Sequence, residues 1–430
     1  MNIKFENARI LTMSEECQVF KGTLITSDSR IAYISEVKDG TEIIPLPTDI
    51  VIDRVVDCEG NLLLPGFKNA HAHSGMSPLR SIADDTPLAQ WLNIQIFPRE
   101  AKLTAEMIYD ATQLSVLEYL TSGITACFDM YLTPDSIVKA YEDMGFRAVL
   151  CGNLNNFSSS VELTEEFYNK YNDYNPLISY EMGFHAEYTC SKELLTSFSE
   201  MIHKYNAPVY THLNETESEV KECVDRYGMT PGKFLDSLGI FDFGGGCYHC
   251  VHMSDEDIDI FKKRGLSAIT NPGSNTKLAS GIAPISELMK QGINIGIGTD
   301  GPASNNCLDM FREMFLVTGL GKLREADASV VDAFEVLKMA TVGSALAMRL
   351  FDCDVLEVGK QADIIMIDLN SPNMRPLNNI AKNIVYSGSK ANIKMTMVAG
   401  NILYSDGRFA DSIDVETIYR KTQEIADFIK

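Results

Sequence analysis

The sequence predicts an α/β protein, a (β/α)8 TIM barrel with a small β-sandwich built from both chain ends. Short apolar or β-branched segments alternate eight times with amphipathic segments over roughly 250 residues, which is typical of this barrel. Both chain ends read instead as strands joined by turns. The length of 430 residues with 45% hydrophobic content is enough to bury a large core. A barrel of this class carries its active site at the carboxyl ends of the strands.

The eight predicted barrel strands are short apolar runs that end in polar or turn-forming residues. They are the segments 62–73, 123–130, 147–153, 178–186, 207–213, 244–250, 266–273 and 294–301. Between them, segments such as 191–205 and 254–265 show the apolar spacing of helices that pack outside a parallel sheet. We therefore expect the barrel domain to occupy residues 63–353.

The two ends of the chain are expected to form one β-sandwich. Residues 1–62 read as several strands, and residues 354–430 return to a strand pattern after the helical segment 329–351. Pairing the two ends into one domain is the most economical interpretation. The sequence does not decide which domain holds the terminal helix, 415–430.

Composition limits the cellular context and the partners. The net charge of −22 argues against binding to a nucleic acid, whose phosphates it would repel. The N-terminus lacks the apolar core of a signal peptide, and no apolar run reaches the length of a membrane span. The ten cysteines have no regular spacing, which together with the missing export signal predicts reduced thiols in the cytoplasm. The expected partner is a small-molecule substrate, and the sequence leaves open whether the chain forms a homo-oligomer.

Histidines and one aspartate indicate a metal site at the barrel mouth. His71 and His73 project from the same face of a strand, although a pair of loop histidines without a ligand role would have the same spacing. His212 ends the fifth strand, and Asp300 ends the eighth, where an Asp-Gly turn is the alternative interpretation. Because these strand ends meet at one mouth, they predict a hydrolytic metal site with an open position for water.

Other polar residues near the strand ends have both a functional and a simpler structural interpretation. Glu215 follows the fifth strand, where its loop can turn the carboxylate over the mouth, although an isolated glutamate would be taken as solvated. His203 reads as a helix-surface residue and His252 as a structural one. Cys247 and Cys250 have the spacing of a zinc or redox motif, but positions i and i+3 of a strand face opposite sides, so we reject that interpretation.

Five ordered motifs resemble the amidohydrolase superfamily, in its branch of adenine-nucleoside deaminases. They are PGFKNAHAH, THLNETE, HCVHM, NPGSNTKL and GTDGPASNN. The resemblance is nearest to the 5'-methylthioadenosine/S-adenosylhomocysteine deaminases, with chlorohydrolases and guanine deaminases as more distant members. The flanking segments VGKQADIIMID and VAGNILYSDGR resemble the family's composite β-sandwich, so the resemblance covers nearly the whole chain.

The resemblance implies a site with one divalent metal ion per chain, zinc in the first place and iron as the alternative. The implied ligands are His71, His73, His212 and Asp300. The fourth strand contains no lysine, so the carbamylated bridge of the binuclear relatives has no donor here.

The resemblance also implies the roles of the residues around the metal. Glu215 would be the proton shuttle, His249 would orient the attacking water, and Asp300 would take the proton of that water. The implied substrate contacts are Trp91 as a pocket residue, Glu100 as the acceptor for ribose hydroxyls, and His185.

The expected reaction is the hydrolytic deamination of an adenine nucleoside, with release of ammonia. Candidate substrates are 5'-methylthioadenosine, 5'-deoxyadenosine and adenosine. S-adenosylhomocysteine is disfavoured because residues 151–170 contain no arginine to bind its carboxylate. Two alternatives remain: an aminohydrolase of guanine-like or other amino-heterocycles, and a non-catalytic barrel that serves as an assembly protein.

Overall fold

The computed structural model of the chain describes residues 1–14, 18–86 and 90–430. Two sheets organise it, one of eight and one of ten strands. Among the described residues, no helix has the length and apolar character needed to cross a membrane.

The eight-stranded sheet is the predicted parallel barrel. Its strands follow chain order and are Phe67–Ala72, Ile124–Met130, Arg147–Cys151, Ile178–Ala186, Val209–Leu213, Gly245–His249, Leu266–Thr270 and Ile295–Ile297. They are called the first to eighth barrel strands below. A parallel bridge between Ala72 and Asp300 joins the end of the eighth strand to the first. The (β/α)8 prediction is therefore confirmed, and every one of the eight predicted strands is present.

The first predicted strand, 62–73, is two strands that belong to different sheets. Leu62–Pro65 pairs with strands of the ten-stranded sheet, and Phe67–Ala72 begins the barrel. The break falls at Gly66, where a Cβ atom would lie only 2.1 Å from the Thr125 side chain. The single expected strand was wrong at this point because the chain must change sheets where the two domains meet.

Helices alternate with the barrel strands as predicted. The α-helices are Phe97–Glu100, Ala105–Thr121, Pro134–Met144, Val161–Tyr171, Lys192–Tyr205, Glu217–Tyr227, Pro231–Ser237, Asp255–Arg264, Pro272–Lys277, Ile285–Lys290, Met310–Glu325, Ala333–Lys338, Ser344–Ala347, Ile380–Tyr386 and Val415–Ile429. Short 3-10 helices cover Ser74–Leu79, Glu187–Thr189, Pro372–Met374 and Lys390–Asn392, and π-helical turns cover Trp91–Ile96 and Met339–Gly343.

Local sequence signals explain where two of these helices begin and where one of them ends. Ser191 and Ser254 each accept a hydrogen bond from the main-chain N–H three residues further on, at 3.2 Å, which caps the helix N-terminus. The helix that starts after Ser254 ends at Gly265, whose φ of +66° suits glycine. The predicted helical segments 191–205 and 254–265 therefore match Lys192–Tyr205 and Asp255–Arg264.

The ten-stranded sheet unites both chain ends. Its strands in spatial order are Arg408–Phe409, Asn401–Ser405, Ile393–Val398, Ile364–Ile367, Leu62–Pro65, Asn2–Ile10, Phe20–Ser27, Arg30–Lys38 and Thr41–Glu42, with Arg54–Asp57 also paired to Asn2–Ile10. The central strand Ile364–Ile367 is buried on both faces. Ile364 and Met366 pack into a small core within this domain, while Ile365 and Ile367 join the large core that includes the barrel.

The terminal helix Val415–Ile429 packs on the barrel side, which settles the question that the sequence left open. Ile418 and Ile425 belong to the large core. Lys421 Nζ donates to Asp110 Oδ1 on the barrel helix Ala105–Thr121 at 2.9 Å.

A buried ion pair connects the barrel to the terminal sheet. Arg147 on the third barrel strand donates from Nε and Nη2 to the two carboxylate oxygens of Asp363, at 2.7 and 2.9 Å. Asp363 is fully buried and also accepts the main-chain N–H of Ala399 at 2.8 Å. A bidentate pair of this kind fixes both the position and the orientation of the third barrel strand relative to the terminal sheet.

We expect Asp363→Asn to lower the free energy of unfolding by about 3–5 kcal/mol, because it leaves the Arg147 charge buried without its partner. Urea denaturation followed by circular dichroism measures the change. Glu424→Gln, in the exposed pair with Arg420, is the matched control and should cost about 0–1 kcal/mol. Equal losses for the two variants would contradict a structural role for the buried pair.

Candidate active site

A cavity of about 490 Å³ opens at the carboxyl ends of the barrel strands. It is the place where the barrel architecture puts an active site. The predicted site residues that line it are His73, Trp91, Glu100, His185, His212, Glu215, His249 and Asp300. The remaining predicted residue, His71, is fully buried beside Asp300.

Four side chains, called the metal-donor group below, converge closely enough to bind one metal ion. One donor atom from each of His71, His212, His249 and Asp300 lies within 4.8 Å of every other. His73, which the sequence analysis placed among the ligands, is adjacent to this group, with its Nε2 at 3.2 Å from Asp300 Oδ1. The five side chains come from the ends of the first, fifth, sixth and eighth strands, so the closed barrel brings them together.

Three of the histidines are oriented by a hydrogen bond from Nδ1. This bond sets the direction of the ring and is typical of histidines that bind metals through Nε2. The acceptors are the Met130 carbonyl oxygen for His73, the His185 carbonyl oxygen at 2.7 Å for His212, and Asn275 Oδ1 at 2.8 Å for His249.

His71 provides the test of whether the site fits a metal. Neither of its ring nitrogens has a hydrogen-bond partner among the described residues, although the ring is fully buried. Burial lowers the pKa of His71 to about 3, so the ring is neutral, which is the form that binds metals. Its ring stacks on Tyr248, with 3.8 Å between the centroids. A buried polar group without a partner is costly, and a cation at this point would satisfy it.

Asp300 is held with one oxygen toward the histidines. Its Oδ2 accepts hydrogen bonds from Ser274 Oγ at 2.6 Å and Ser304 Oγ at 2.7 Å. Its Oδ1 lies 3.5 Å from His71 Nε2 and 3.2 Å from His73 Nε2. Burial alone would raise the pKa of Asp300, but the two imidazoles keep it well below its ordinary value, so the carboxylate is ionised.

The two serines that bind Asp300 were not found by sequence reasoning. They lie in the motifs NPGSNTKL and GTDGPASNN, in which Asp300 alone was predicted to belong to the site. A serine signals no role by itself, and these two acquire theirs because their loops meet at the barrel mouth.

Glu215 is buried at the site and is not a solvated loop residue. It is 8% exposed. Its Oε1 accepts a hydrogen bond from Ser280 Oγ at 3.3 Å, and its Oε2 lies 3.9 Å from His249 Nε2. The carboxylate therefore stands beside the metal-donor group without belonging to it.

The outer part of the cavity is largely apolar. None of its described lining residues is a lysine or an arginine. Trp91, Phe97 and Phe157 contribute aromatic surface, and Phe157 is 83% exposed at the mouth. Burial raises the pKa of Glu100 and lowers the pKa of His185 to about 4. The cavity therefore offers an acidic group, a neutral imidazole and apolar walls to its ligand.

Sequence reasoning did not identify Phe157 as a lining residue, although it noted the absence of arginine from the surrounding segment, 151–170. Its position depends on a turn around Asn155. The Asn155 Oδ1 atom accepts the main-chain N–H groups of Phe157 and Ser158, each at 2.9 Å. This turn presents the phenyl ring at the cavity mouth.

The residues set aside in the sequence analysis lie outside the metal-donor group. Cys250 Sγ donates to the carbonyl oxygen of Cys247 at 3.2 Å, and neither sulfur belongs to a donor cluster in the described part of the chain. His203 lies on the helix Lys192–Tyr205. His252 Nε2 donates to the Ser280 carbonyl oxygen at 2.7 Å.

The chain matches a known protein family and is similar in sequence to proteins named as deaminases. Residues 62–403 match the model of the amidohydrolase family. The 5-methylthioadenosine/S-adenosylhomocysteine deaminase of Thermoanaerobacter pseudethanolicus is 38% identical over 436 residues, which cover 99% of each chain. The 5'-deoxyadenosine deaminase of Methanocaldococcus jannaschii is 37% identical over 415 residues, covering 95% of this chain and 96% of the relative.

A solved structure supports the same assignment. The zinc-bound crystal structure of an adenosine deaminase from Xanthomonas campestris superposes with a TM-score of 0.92 at 30% identity. The match covers 99% of this chain and 98% of that one. On the family match and these near-full-length similarities, the chain belongs to the amidohydrolase family and is a hydrolase that acts on carbon–nitrogen bonds.

Proposed function

We propose that this enzyme deaminates an adenine nucleoside that carries a small, uncharged 5' substituent, and that it releases ammonia. The observation that carries the proposal is one cavity that combines a buried histidine–aspartate donor set, the adjacent Glu215 carboxylate and an outer wall whose described residues include no lysine or arginine. The relatives named for deamination of 5'-methylthioadenosine, 5'-deoxyadenosine and adenosine support this substrate class.

We infer that His71, His73, His212 and Asp300 hold one divalent ion, zinc in the first place and iron as the alternative. Imidazole and carboxylate ligands suit either metal. When bound, such an ion polarises the substrate and supplies hydroxide at neutral pH. His249 lies in the same donor group, but the family resemblance assigns it to the attacking water. The 3.9 Å between its Nε2 and Glu215 Oε2 supports that role, because it places the ring beside the proton-carrying group.

The protein's own groups then move the protons. Asp300, held by two serine hydroxyls, takes the proton of the attacking water, while His249 orients that water. Glu215, in its acid form, donates a proton to the purine ring nitrogen, which makes the amino-bearing carbon electrophilic. The resulting carboxylate takes the hydroxyl proton of the tetrahedral adduct and passes it to the amino group, which leaves as ammonia, and the proton held by Asp300 then returns to Glu215.

The outer cavity binds the rest of the nucleoside. Glu100 accepts hydrogen bonds from the ribose hydroxyls, Trp91 packs against the ligand, and His185 contacts it from the end of the fourth strand. A free base such as guanine would leave Glu100 without a partner, which disfavours that alternative. The assembly-protein alternative is disfavoured because the metal-donor group and Glu215 are all in place.

We further infer that the enzyme works in a reducing compartment, the cytoplasm. Nine cysteines in the described part of the chain are free thiols, and all but Cys307 are buried. Free buried thiols are typical of cytosolic proteins.

The purified protein should contain about one divalent transition metal per chain, and His71→Ala combined with His212→Ala should remove it, because two of the four ligands are lost. Elemental analysis measures the content. His203→Ala, on an outer helix, is the control and should keep the metal. Two ions per chain, or full retention in the double variant, would contradict the mononuclear site.

Glu215→Gln should retain the metal and lower kcat by about 10²–10⁴-fold, because it removes the group that carries protons in both steps. Steady-state ammonia release measures the loss. Glu217→Gln, two residues on at an exposed position, should be unaffected. A fully active Glu215→Gln enzyme would show that the carboxylate carries no proton.

We expect 5'-methylthioadenosine, 5'-deoxyadenosine or adenosine to exceed S-adenosylhomocysteine in kcat/KM by at least about tenfold. A missing charge-assisted contact to the amino-acid carboxylate corresponds to about 10- to 100-fold. Parallel kcat/KM measurements decide the order.

Phe157→Arg adds a guanidinium at the cavity mouth and should reduce the difference in kcat/KM between the uncharged nucleosides and S-adenosylhomocysteine. The uncharged control Phe157→Leu should leave that difference unchanged. Equal or better use of S-adenosylhomocysteine by the unmodified enzyme would contradict the substrate proposal.

A further inference from the structure

A second buried glutamate lies directly behind Glu215. Glu219 is 5% exposed and belongs to the first turn of the helix Glu217–Tyr227. Its Oε2 accepts the main-chain N–H of Glu215 at 2.8 Å, and its Oε1 accepts that of Asn214 at 2.9 Å. The carboxylate therefore reaches back past the helix start to the loop that carries Glu215.

The loop that carries Glu215 needs these acceptors because the chain turns sharply at the end of the fifth barrel strand. Asn214, just beyond the end of the fifth strand, has a φ of +53°, a conformation that few side chains adopt. The amides that follow have left the strand ladder and would otherwise be buried without partners. On the other side, the Asn214 carbonyl oxygen accepts the N–H groups of Val251 and His252 at 3.1 and 2.9 Å. The turn is thus held from both sides.

Helix capping accounts for only part of the contacts of the Glu219 carboxylate. Thr216 and Glu219 have the spacing of a capping box: Thr216 Oγ1 accepts the main-chain N–H of Glu219 at 3.2 Å, and the main-chain N–H of Thr216 acts in turn on the Glu219 carboxylate. The two short bonds of the carboxylate go to residues that precede Thr216. These two bonds therefore hold the loop, in addition to the capping of the helix.

Glu219 also lacks the partner that usually accompanies a buried charge. In the described part of the chain it forms no ion pair, and the charged neighbour that most affects it is Glu215 itself. Burial, and then the charge of Glu215, raise the pKa of Glu219 to about 7. A buried acid next to another acid is costly for stability, so its presence calls for a different reason.

We infer that Glu219 is a positioning residue that fixes the main chain of Glu215, so that the Glu215 carboxylate stays between Ser280 and His249. The inference rests on the proposed function, in which Glu215 carries the protons. Glu219 acts only through Glu215 and touches neither metal nor substrate.

The test is a double-variant cycle with Glu219→Gln and Glu215→Gln, measured as kcat and KM for 5'-methylthioadenosine together with metal content. The amide of Glu219→Gln keeps one acceptor but turns an NH2 group toward a main-chain N–H. We expect kcat to fall about 10- to 100-fold with KM and metal content unchanged, which corresponds to one lost charge-assisted bond.

In the Glu215→Gln background, Glu219→Gln should cost almost nothing further, because the group that it positions is already gone. A purely structural residue would reduce activity by the same factor in both backgrounds. Glu222→Gln, exposed on the same helix, is the control and should leave kcat unchanged.

Several outcomes would overturn the inference: unchanged kcat in Glu219→Gln, an equal further loss in the Glu215→Gln background, or loss of metal in parallel with activity. If Glu219→Gln and the charge-keeping variant Glu219→Asp both fail to fold, Glu219 serves stability and the inference is wrong. A fully active Glu215→Gln enzyme would instead refute the proposed function.

Discussion

Closure of the barrel between its last and first strands is the constraint on which the site depends. The parallel bridge joins Ala72 to Asp300, and the Asp300 main-chain N–H donates to the His71 carbonyl oxygen at 3.0 Å. This contact brings a carboxylate from the end of the chain's eighth strand against two histidines that lie more than 200 residues earlier. Without closure, the Asp300 carboxylate would not lie beside the two imidazoles, and His71 would have no carboxylate near its ring.

Around this contact, hydrogen bonds from residues outside the donor set hold His73, His212, His249 and Asp300, while the ring nitrogens of His71 have no such partner among the described residues. Main-chain carbonyl oxygens and Asn275 orient three of the imidazoles, and two serine hydroxyls orient Asp300. Such outer contacts reduce the freedom of the ligands before a metal binds, so less entropy is lost on binding. Glu215 is held in a similar way, because the buried Glu219 carboxylate accepts the main-chain N–H groups of Asn214 and Glu215.

The sequence predicted the barrel strands well because a short apolar run that ends in a polar residue has few alternatives in an α/β chain. It could not predict the break at Gly66, since one continuous apolar run serves two different sheets there. The packing of Val415–Ile429 was also undecided, because an amphipathic pattern shows which face is buried but not what covers it.

At the site, spacing and resemblance singled out the histidines, Asp300 and Glu215, but several contacts depended on the fold. The grouping of His249 with the donors, and the roles of Ser274 and Ser304, arise only when loops from separate strands meet. A single polar residue in a loop belongs to no periodic sequence pattern. Its contacts can therefore be identified only in the three-dimensional structure.

Stepwise addition of zinc to metal-free protein, with ammonia release from 5'-methylthioadenosine measured at each step, tests the central claim most directly. The claim is that one metal site in this cavity carries out the deamination. Activity should rise in proportion to added zinc and level off near one ion per chain. Full activity in the metal-free protein, or no ammonia release from the fully loaded enzyme, would contradict the account.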